Sequence, residues 1–580
     1  MKVGGTQVRR HARGYIVVAV LLISAALFAS CGVDQEAADL IFYGGDILTM
    51  ADGSEIAEAV AVEGGRIRAV GSASQIMNLV GGNTVIVDLE GRTLAPGFID
   101  AHGHFTEVVR IIDDADIQSP PVGPVSAIEG IVATLTEKIE FEEIQPGGWV
   151  VGSGYDELLL DEARHPTRED LDRVSTRHPV LAVHVSGRMG ALNGRALEMA
   201  EISTDTPDPE GGVIERRPGT REPTGLIREN AFFRVRQMVE REAHPRGLID
   251  RVRRAGEYYA SFGITTTQDG VTDDTDFRIL AAAAQAGSLP IDVVCYGEGG
   301  REDGLLHKWN EYRDAYIGGL RIGGVIITLD EPLERGGAWL TEPYAVPPAG
   351  RAGGFTGEPK FANDYEVPYL FHRFMSQGVQ VVAHVNGDAA ADQMIAAVEN
   401  AVVMIGPGDH RPVMSYAHTV REDQLDRMAT LGMVPSFFTG QLYFRGDLYL
   451  ESVLGKERAH RMSPCRSALQ RGMYFSIHND EPDVPPDVLF LIGNAVNRTS
   501  RNGRVIGAEQ RIDAVDALKA VTKWAAWQIF EEENKGSLEV GKLADLVILS
   551  GSPLNVRPEE IGQLEVVATY KEGSMVYRAP

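Results

Sequence analysis

The sequence predicts an α/β fold, a TIM-type (β/α)8 barrel joined to a small composite β-sandwich domain. Eight apolar, strand-like runs follow one another from residue 94 onward, with helical patterns between several of them. Short strand-like runs separated by glycines lie at both ends of the chain, so the two ends can build one domain around a central insert. The chain has 580 residues, of which 44% are hydrophobic, and this is enough for one large core and a second small one.

The first 30 residues are typical of an export signal. Basic residues precede an apolar run, Tyr15 to Phe28, which is too short to span a membrane. The sequence Phe28-Ala29-Ser30-Cys31 resembles a bacterial lipobox, in which the cysteine is lipidated and becomes the mature N-terminus. We therefore expect residues 1–30 to be removed, and the protein to be exported to the periplasm or cell surface and lipid-anchored to a bacterial membrane through Cys31. The alternative is a plain signal peptide or an uncleaved anchor.

The composite β domain is predicted from residues 31–93 and 533–580. Its runs are short and punctuated by glycine, as expected for strands joined by tight turns. They are Leu40–Tyr43, Ala59–Val62, Arg66–Val70, Thr84–Val87, Asp545–Leu549 and Val566–Tyr570.

The barrel is predicted over residues 94–532. Its first strand is the run from Leu94, and the other seven are Gly263–Asp269, Ile291–Tyr296, Ile322–Leu329, Val379–His384, Val413–His418, Met433–Phe437 and Tyr474–His478. Helices are predicted over Ala389–Val402 and over Asp513–Phe530, the second with Asp513 as its N-cap. Residues 105–262 exceed one crossover, so we expect an insertion there.

Two histidines one residue apart, His102 and His104, end the first barrel run. Because alternate side chains of a strand share a face, both imidazoles point the same way, roughly 7 Å apart along the backbone. Such a pair can hold one metal ion through ring nitrogens. Gly103 between them has no side chain and leaves room for a close approach.

Polar residues also end later strands of the predicted barrel. His384 ends the fifth run, His418 ends the sixth, and Asp480 follows the eighth. A TIM-type barrel has its active site at the C-terminal ends of its strands. Four histidines and a carboxylate at one mouth suit Zn²⁺ or a similar divalent ion.

These residues lie in motifs that resemble the amidohydrolase superfamily, and within it the amidohydrolase 3 branch related to N-substituted formamide deformylase. The motifs, in chain order, are PGFIDAHGH (96–104), AHVNGD (383–388), YAH (416–418), HND (478–480) and KGSLEVGKLADL (535–546). The resemblance covers nearly all of the chain after the signal. It implies the same barrel and composite β domain.

The resemblance also implies roles for individual residues. His102, His104 and His384 would be metal ligands. His418 would bind a second ion or the reacting water, and Asp480 would bind metal and move the proton, which makes these two the catalytic residues. The implied activity is a metal-dependent amidohydrolase that cleaves a non-peptide carbon–nitrogen bond of a small amide through a metal-activated water.

Several positions depart from the pattern of this branch. The branch has a fourth-strand lysine that bridges two metals when carboxylated; Ile326 stands there, so we expect one Zn²⁺ or other divalent ion per chain. Arg188 replaces a histidine, and we expect it either to bind a negative group of the substrate or to pair with a nearby acid. Asp330 shares the strand parity of Ile326 and is a second candidate for the substrate or metal. Gln441 replaces a histidine after the seventh strand.

Two other functions stay open at this point. A mononuclear deaminase of the same superfamily also needs a glutamate near the fifth strand, which the stretch 384–388 lacks. A degenerate member would bind a ligand with weak or no turnover. The net charge of -27 argues against nucleic acid as a partner, because phosphate binding requires a basic surface. We expect a small-molecule amide as substrate and membrane contact through the lipid anchor alone, with a homodimer left open.

Overall fold

The computed structural model describes residues 37–580, apart from residues 121, 243–244, 301–303, 314 and 364. The predicted signal peptide, residues 1–30, and the predicted lipidation site Cys31 lie outside the described residues. Within the described ranges, no helix combines the length and the apolar character needed to cross a membrane.

The N-terminal segment consists of β-strands and one short helix. Glycine pairs separate several strands, as the sequence predicts. The elements are β1 (Leu40–Ala51), β2 (Ser54–Glu63), β3 (Arg66–Gly71), α1 (Ala73–Ile76), β4 (Val85–Asp88), β5 (Thr93–Pro96) and β6 (Phe98–Ile99).

Residues 105–262, which the sequence predicts as an insertion, contain a second sheet that forms an inserted layer, while the helices at the two ends of this range pack in the main core through residues such as Phe105 and Tyr259. Its six strands are hydrogen-bonded in the order β11-β12-β10-β9-β8-β7. They are β7 (Ala115–Asp116), β8 (Val150–Tyr155), β9 (Val180–His184), β10 (Met189–Leu192), β11 (Gly212–Arg216) and β12 (Pro223–Glu229). Its helices are α2 (Phe105–Ile111), α3 (Ile128–Phe141), α4 (Arg168–Asp172), α5 (Gly194–Met199), α6 (Asn230–Glu242) and α7 (Pro245–Ser261).

The remaining barrel strands alternate with helices. They are β13 (Ile264–Thr272), β14 (Asp292–Glu298), β15 (Leu320–Thr328), β16 (Gln380–Val385), β17 (Val413–Tyr416), β18 (Val434–Phe437) and β19 (Ser476–Ile477). The helices are α8 (Asp274–Gln285), α9 (Gly304–Lys308), α10 (Glu366–Met375), α11 (Asp388–Ile405), α12 (Glu422–Leu431), α13 (Gly440–Phe444), α14 (Gly446–Leu448), α15 (Gly455–His460), α16 (Cys465–Gln470), α17 (Val488–Asn497), α18 (Ala514–Ala520) and α19 (Lys523–Gln528). The chain ends with β20 (Leu546–Leu549), β21 (Val566–Lys571) and β22 (Ser574–Arg578).

The barrel strands form one parallel sheet in the order β6-β13-β14-β15-β16-β17-β18-β19. Its two edges meet at the C-terminal end, because the Asp480 N–H donates to the His102 carbonyl (3.1 Å) and the His104 N–H donates to the Glu481 carbonyl (3.0 Å). Apolar side chains fill the interior below this mouth, among them Ile326, Val382 and Ala526. In TIM-type barrels the active site lies at this C-terminal mouth.

The two ends of the chain share one sheet. Strand β20 pairs antiparallel with β5, and the hydrogen-bonded order is β22-β21-β20-β5-β1-β2-β3, with β4 beside β1. Leu94, Leu546 and Tyr570 belong to one buried cluster. Strands from both ends of the chain thus build one sheet, as predicted, while the sandwich form of this domain stays a prediction.

Two local predictions are wrong. The run from Leu94 is not one barrel strand, because Thr93–Pro96 pairs with β1 and β20 and only Phe98–Ile99 joins the barrel. The helix predicted over Asp513–Phe530 is two helices, α18 and α19. It breaks at Val521, whose carbonyl accepts the N–H of Ile99 (2.8 Å) from the first barrel strand. The helix predicted over Ala389–Val402 is confirmed as part of α11.

Candidate metal centre at the barrel mouth

Six polar side chains converge at the C-terminal ends of the barrel strands. Because parallel strands end at one rim, residues far apart in sequence meet there. They are His102 and His104 after β6, His384 in β16, His418 after β17, and His478 and Asp480 after β19. His102, His418, His478 and Asp480 are buried, and His104 and His384 are half-buried.

Three of the predicted ligands come closest together. One ligand atom from each of His102, His104 and Asp480 lies within 4.8 Å of the other two. Asp480 Oδ1 is 3.4 Å from His104 Nε2 and 3.7 Å from His102 Nε2. Two donors that each lie ~2 Å from one ion at a tetrahedral angle are roughly 3.3 Å apart, so these separations fit a shared divalent ion.

The other two predicted ligands, His384 and His418, do not belong to this closest group. The rings of His102 and His384 have centroids 5.2 Å apart. His418 packs against Tyr416 (5.4 Å between centroids) and against Phe438 (6.4 Å). The structure thus places all five predicted residues at one mouth, with His384 beside the closest three and His418 behind the Tyr416 ring.

Several of the possible metal-binding atoms at the mouth are buried without a hydrogen-bond partner. Within the described part of the chain, five buried atoms here have no hydrogen-bond partner: Nε2 of His102, His384 and His478, Nδ1 of His418, and Oδ1 of Asp480. Each unsatisfied buried polar group costs roughly 1–3 kcal/mol. Their convergence fits a site whose donors are satisfied by a bound divalent ion.

The protonation of the histidines agrees with that fit. Burial, reinforced by neighbouring imidazoles, lowers the pKa of His102 far below its usual range and that of His384 to about 3. Both rings are therefore neutral and keep a lone pair for a metal. At His104 burial also lowers the pKa, but the hydrogen bond and charge of Asp480 outweigh it and raise the pKa to about 9. That proton has to leave before an ion binds, so metal affinity falls as the pH falls.

Tyr416 occupies the middle of the site and was not among the predicted residues. Its ring centroid lies 4.2 Å from that of His384 and 5.3 Å from that of His478, and its hydroxyl donates to Asp480 Oδ2 (2.6 Å). Tyr416 and Ala417 have φ values of 68° and 46°. Two successive non-glycine residues in the left-handed region store strain, which is typical of functional sites.

His478 is the second functional residue that the prediction missed. It is fully buried, and its ring centroid is 5.2 Å from that of His102. A signal for it existed in the sequence, because His478 and Asp480 share strand parity and so face the same side. Tyr416 had the same kind of signal, because it lies two residues before His418, but its exact position also depends on an unusual backbone turn.

The two predicted substrate contacts, Arg188 and Asp330, are both held by other groups of the protein. Arg188 forms a two-pronged ion pair with Glu229, with Nη2–Oε2 at 2.8 Å, which is the second of the two alternatives for this residue. The buried Asp330 carboxylate accepts the backbone N–H groups of Asn386, Gly387 and Trp339 (2.7–2.9 Å). This placement favours a structural role for Asp330, which ties the loop after β15 to the end of β16.

Two positions that depart from the branch pattern are also located. Ile326 lies in the apolar barrel interior, one layer below the histidines, while Thr328 is the register partner of His384. Gln441 is buried, accepts from the Tyr449 hydroxyl (2.8 Å) and donates to Asp483 (3.4 Å). Neither side chain belongs to the closest donor group.

Comparison with known proteins decides the family. A model of the amidohydrolase family matches residues 85–577. The chain belongs to the amidohydrolase family. This amidohydrolase is 27% identical over 555 residues to N-substituted formamide deformylase of Arthrobacter pascens, covering 93% of the chain and 98% of that protein.

Solved structures confirm the fold of this amidohydrolase as a TIM-like barrel. An uncharacterized metal-dependent hydrolase from Pyrococcus furiosus superposes with a TM-score of 0.69 at 24% identity, covering 89% of this chain and all of the other. A zinc-bound adenosine deaminase from Xanthomonas campestris superposes with a TM-score of 0.51 at 13% identity, covering 93% of each chain. Family membership supports a hydrolase, and the donor set at the mouth supports a metal-dependent one.

A second histidine–carboxylate cluster lies in the insertion of the amidohydrolase. Ligand atoms of Asp156, Glu157 and His184 also lie within 4.8 Å of one another. His184 Nε2 is 2.7 Å from Glu157 Oε2. The backbone N–H of Ser186 donates to His184 Nδ1 (3.0 Å), so the ring proton is on Nε2 and faces the carboxylate.

Proposed function

We propose that this amidohydrolase cleaves a non-peptide carbon–nitrogen bond of a small amide with one divalent ion, Zn²⁺ or a similar metal, per chain. The observation that carries the proposal is the convergence of His102, His104 and Asp480 at the barrel mouth, with unsatisfied nitrogens around them. Similarity to a formamide deformylase over nearly the whole length of both chains favours N-substituted amides as the first substrates to test.

Each residue at the mouth has a role in this reaction that follows from its position. A divalent ion held by His102, His104 and Asp480 would lower the pKa of a bound water and polarise a carbonyl oxygen. Asp480 is the proton carrier: it accepts a proton from the attacking water and delivers it to the departing nitrogen. The Tyr416 hydroxyl holds Asp480 Oδ2, which leaves Oδ1 directed at the two histidines. His104 Nδ1 lies 3.1 Å from the Gly270 carbonyl, which fixes that ring with Nε2 toward the site.

Deamination is the second candidate, and one contact weighs against it. The acid nearest in sequence after the fifth barrel strand is Asp388. Its carboxylate accepts the Thr341 N–H (2.9 Å) and pairs with Arg421 (3.0 Å), so it is held by the protein. A deaminase needs a free carboxylic acid there to move protons, which favours amide hydrolysis here.

Product analysis tests the proposal. Purified protein is incubated with a panel of N-substituted formamides and acetamides, and with aminated heterocycles, while bound metal is measured by mass spectrometry. We expect about one divalent ion per chain and release of an amine with a carboxylate. Release of ammonia from a heterocycle would favour the deaminase, and metal-bound protein without any turnover would favour the degenerate member.

For the cellular location we propose export and lipid anchoring through Cys31, which rests on the N-terminal sequence alone. Expression of the full chain in a Gram-negative host, followed by detergent phase partition, tests this. The wild type should enter the detergent phase, and Cys31→Ser should remain in the aqueous phase. Equal partition of both proteins would contradict the anchor.

A further inference from the structure

We infer that His478 is an additional ligand of the divalent ion, held in the required tautomer by a chain of hydrogen bonds that ends at Gln528. The inference rests on the proposed metal centre and extends its ligand set. It is carried by burial, by an unsatisfied nitrogen and by the direction of each hydrogen bond behind the ring.

His478 lies in the wall of the site, beside the group formed by His102, His104 and Asp480. Its side chain is fully buried, and its ring lies against those of His102 (5.2 Å between centroids) and Tyr416 (5.3 Å). Its Nε2 has no hydrogen-bond partner among the described residues. A buried imidazole nitrogen without a partner costs stability unless something absent from the chain satisfies it.

The hydrogen bonds behind the ring settle which nitrogen bears the proton. Gln528 Nε2 donates to the Ala101 carbonyl (3.1 Å), so Gln528 Oε1 can only accept, and it accepts from the Ser476 hydroxyl (2.6 Å). A hydroxyl has one proton, so the contact between the hydroxyls of Ser476 and Ser436 (2.7 Å) is donated by Ser436.

The last step reaches the imidazole. Ser436 has already used its proton, so its 2.8 Å contact with His478 Nδ1 is donated by the ring. The proton therefore lies on Nδ1, and Nε2 presents a lone pair to the site. A metal-binding histidine typically donates its other ring N–H in this way.

The hydrogen bonds of His478 can be compared with those of two other histidines, one at the mouth and one in the insertion. At His104, Nδ1 faces the Gly270 carbonyl (3.1 Å), so Nε2 is the nitrogen directed at the site. His178, in the insertion, is buried with both nitrogens engaged, Nδ1 with Ser175 Oγ (2.7 Å) and Nε2 with the Ile144 carbonyl (3.1 Å). His478 shares the arrangement of His104, whereas His178 is an ordinary structural histidine and a matched control.

The test measures metal binding directly. Wild type, His478→Asn, Ser436→Ala and His178→Asn are stripped with a chelator and titrated with Zn²⁺ against a chromophoric chelator, and visible spectra of the Co²⁺-loaded proteins are recorded. Asparagine keeps a donor for Ser436 and removes Nε2. We expect His478→Asn to lower Zn²⁺ affinity about a hundredfold and change the Co²⁺ spectrum, and Ser436→Ala to lower the affinity about tenfold. His178→Asn should match the wild type.

The results separate the assignment of His478 from the proposed metal centre itself. Wild-type affinity and an unchanged Co²⁺ spectrum in His478→Asn, with the wild type binding one ion, would overturn this inference alone. A wild type that binds no ion would overturn the proposed function and this assignment with it. If His478→Asn does not fold by circular dichroism, Ser436→Ala decides, because it keeps the imidazole and removes only what fixes its tautomer.

Discussion

The barrel mouth and the inserted layer contain nearly the same residue types at nearly the same spacing. Two histidines and one carboxylate at the mouth, and one histidine and two carboxylates in the insertion, have ligand atoms within 4.8 Å of one another. In the insertion, the backbone donates an N–H to His184 Nδ1, so the ring proton faces Glu157. At the mouth, the backbone offers a carbonyl to His104 Nδ1, so Nε2 becomes a ligand beside Asp480 once its own proton has left.

The difference lies in the backbone, and it decides the chemistry. A ring whose Nδ1 accepts an N–H becomes a hydrogen-bond donor to its carboxylate. The bond from His184, opposed by partial burial, lowers the pKa of Glu157 to about 2. A ring whose Nδ1 donates becomes a ligand. Residue identity alone would assign a metal to both clusters.

The largest expected effect separates the two clusters by their metal content. His102→Ala removes a ligand and should reduce bound metal from about one ion per chain to nearly none, with an affinity loss above about a hundredfold. His184→Ala should keep its metal, because the proton of that ring lies on Nε2, 2.7 Å from Glu157 Oε2, and leaves no lone pair for an ion. Mass spectrometry of both purified proteins is the measurement. Metal loss in His184→Ala would break the comparison.

Tyr416→Phe should have the next largest effect. It removes the 2.6 Å hydrogen bond that orients Asp480 and leaves the ring in place. We expect kcat to fall by about 10–100-fold on whichever amide the wild type hydrolyses. Tyr259→Phe is the control, because the buried Tyr259 hydroxyl has no hydrogen-bond partner among the described residues. An equal loss of kcat in the control would show that the phenol of Tyr416 has no special role.

Glu157→Gln tests the ion pair of the insertion through pH. The folded pKa of about 2 lies below the ordinary value of 4.5, so the carboxylate stabilises the fold fully above about pH 4.5, and this contribution is lost as the pH falls toward 2. We expect the variant to be less stable by about 1–3 kcal/mol at neutral pH, and the difference to shrink on acidification. Thermal melts of both proteins from about pH 7 to about pH 3 measure it. A pH-independent difference would argue against the ion pair.

Arg188→Gln should have the smallest effect. Its ion pair with Glu229 is exposed, with 58% and 42% of the two side chains accessible, and such pairs contribute at most about 1 kcal/mol. We expect unchanged metal content and nearly unchanged thermal stability. Measuring kcat/KM on two matched amides, one with a carboxylate and one neutral, tests whether Arg188 contacts the substrate. A selective loss on the anionic amide would restore Arg188 as a substrate contact.

Much of the fold could be predicted because strand patterns are local. The barrel strands from β13 to β19 were located from apolar runs, and the mouth followed because parallel strands end at one rim. The split at Thr93–Pro96 could not be predicted. It depends on pairing with β20, which lies more than 400 residues away in sequence. The break at Val521 has the same origin, since Ile99 takes its carbonyl.

The candidate site was predictable where a residue lies on a strand and not where it depends on a turn or a distant partner. His102, His104, His384, His418 and Asp480 were found from motif and parity. His478 had the same parity signal as Asp480 and was overlooked. An ion pair was one of the two expectations for Arg188, but its partner could not be predicted, because Glu229 is 41 residues away in sequence. The structural role that the contacts of Asp330 favour could not be predicted, because its partners are backbone N–H groups, which have no sequence signature.

The pairing of β5 with β20 has a consequence for synthesis. A chain made from its N-terminus exposes the open edge of Thr93–Pro96 until residues 546–549 emerge. Unpaired strand edges invite association with other chains. This amidohydrolase thus completes its first domain last. Pairing between strands so far apart in sequence is a long-range contact, and such contacts slow folding in general. Deleting residues 546–580 should therefore damage the N-terminal strands as well as the tail.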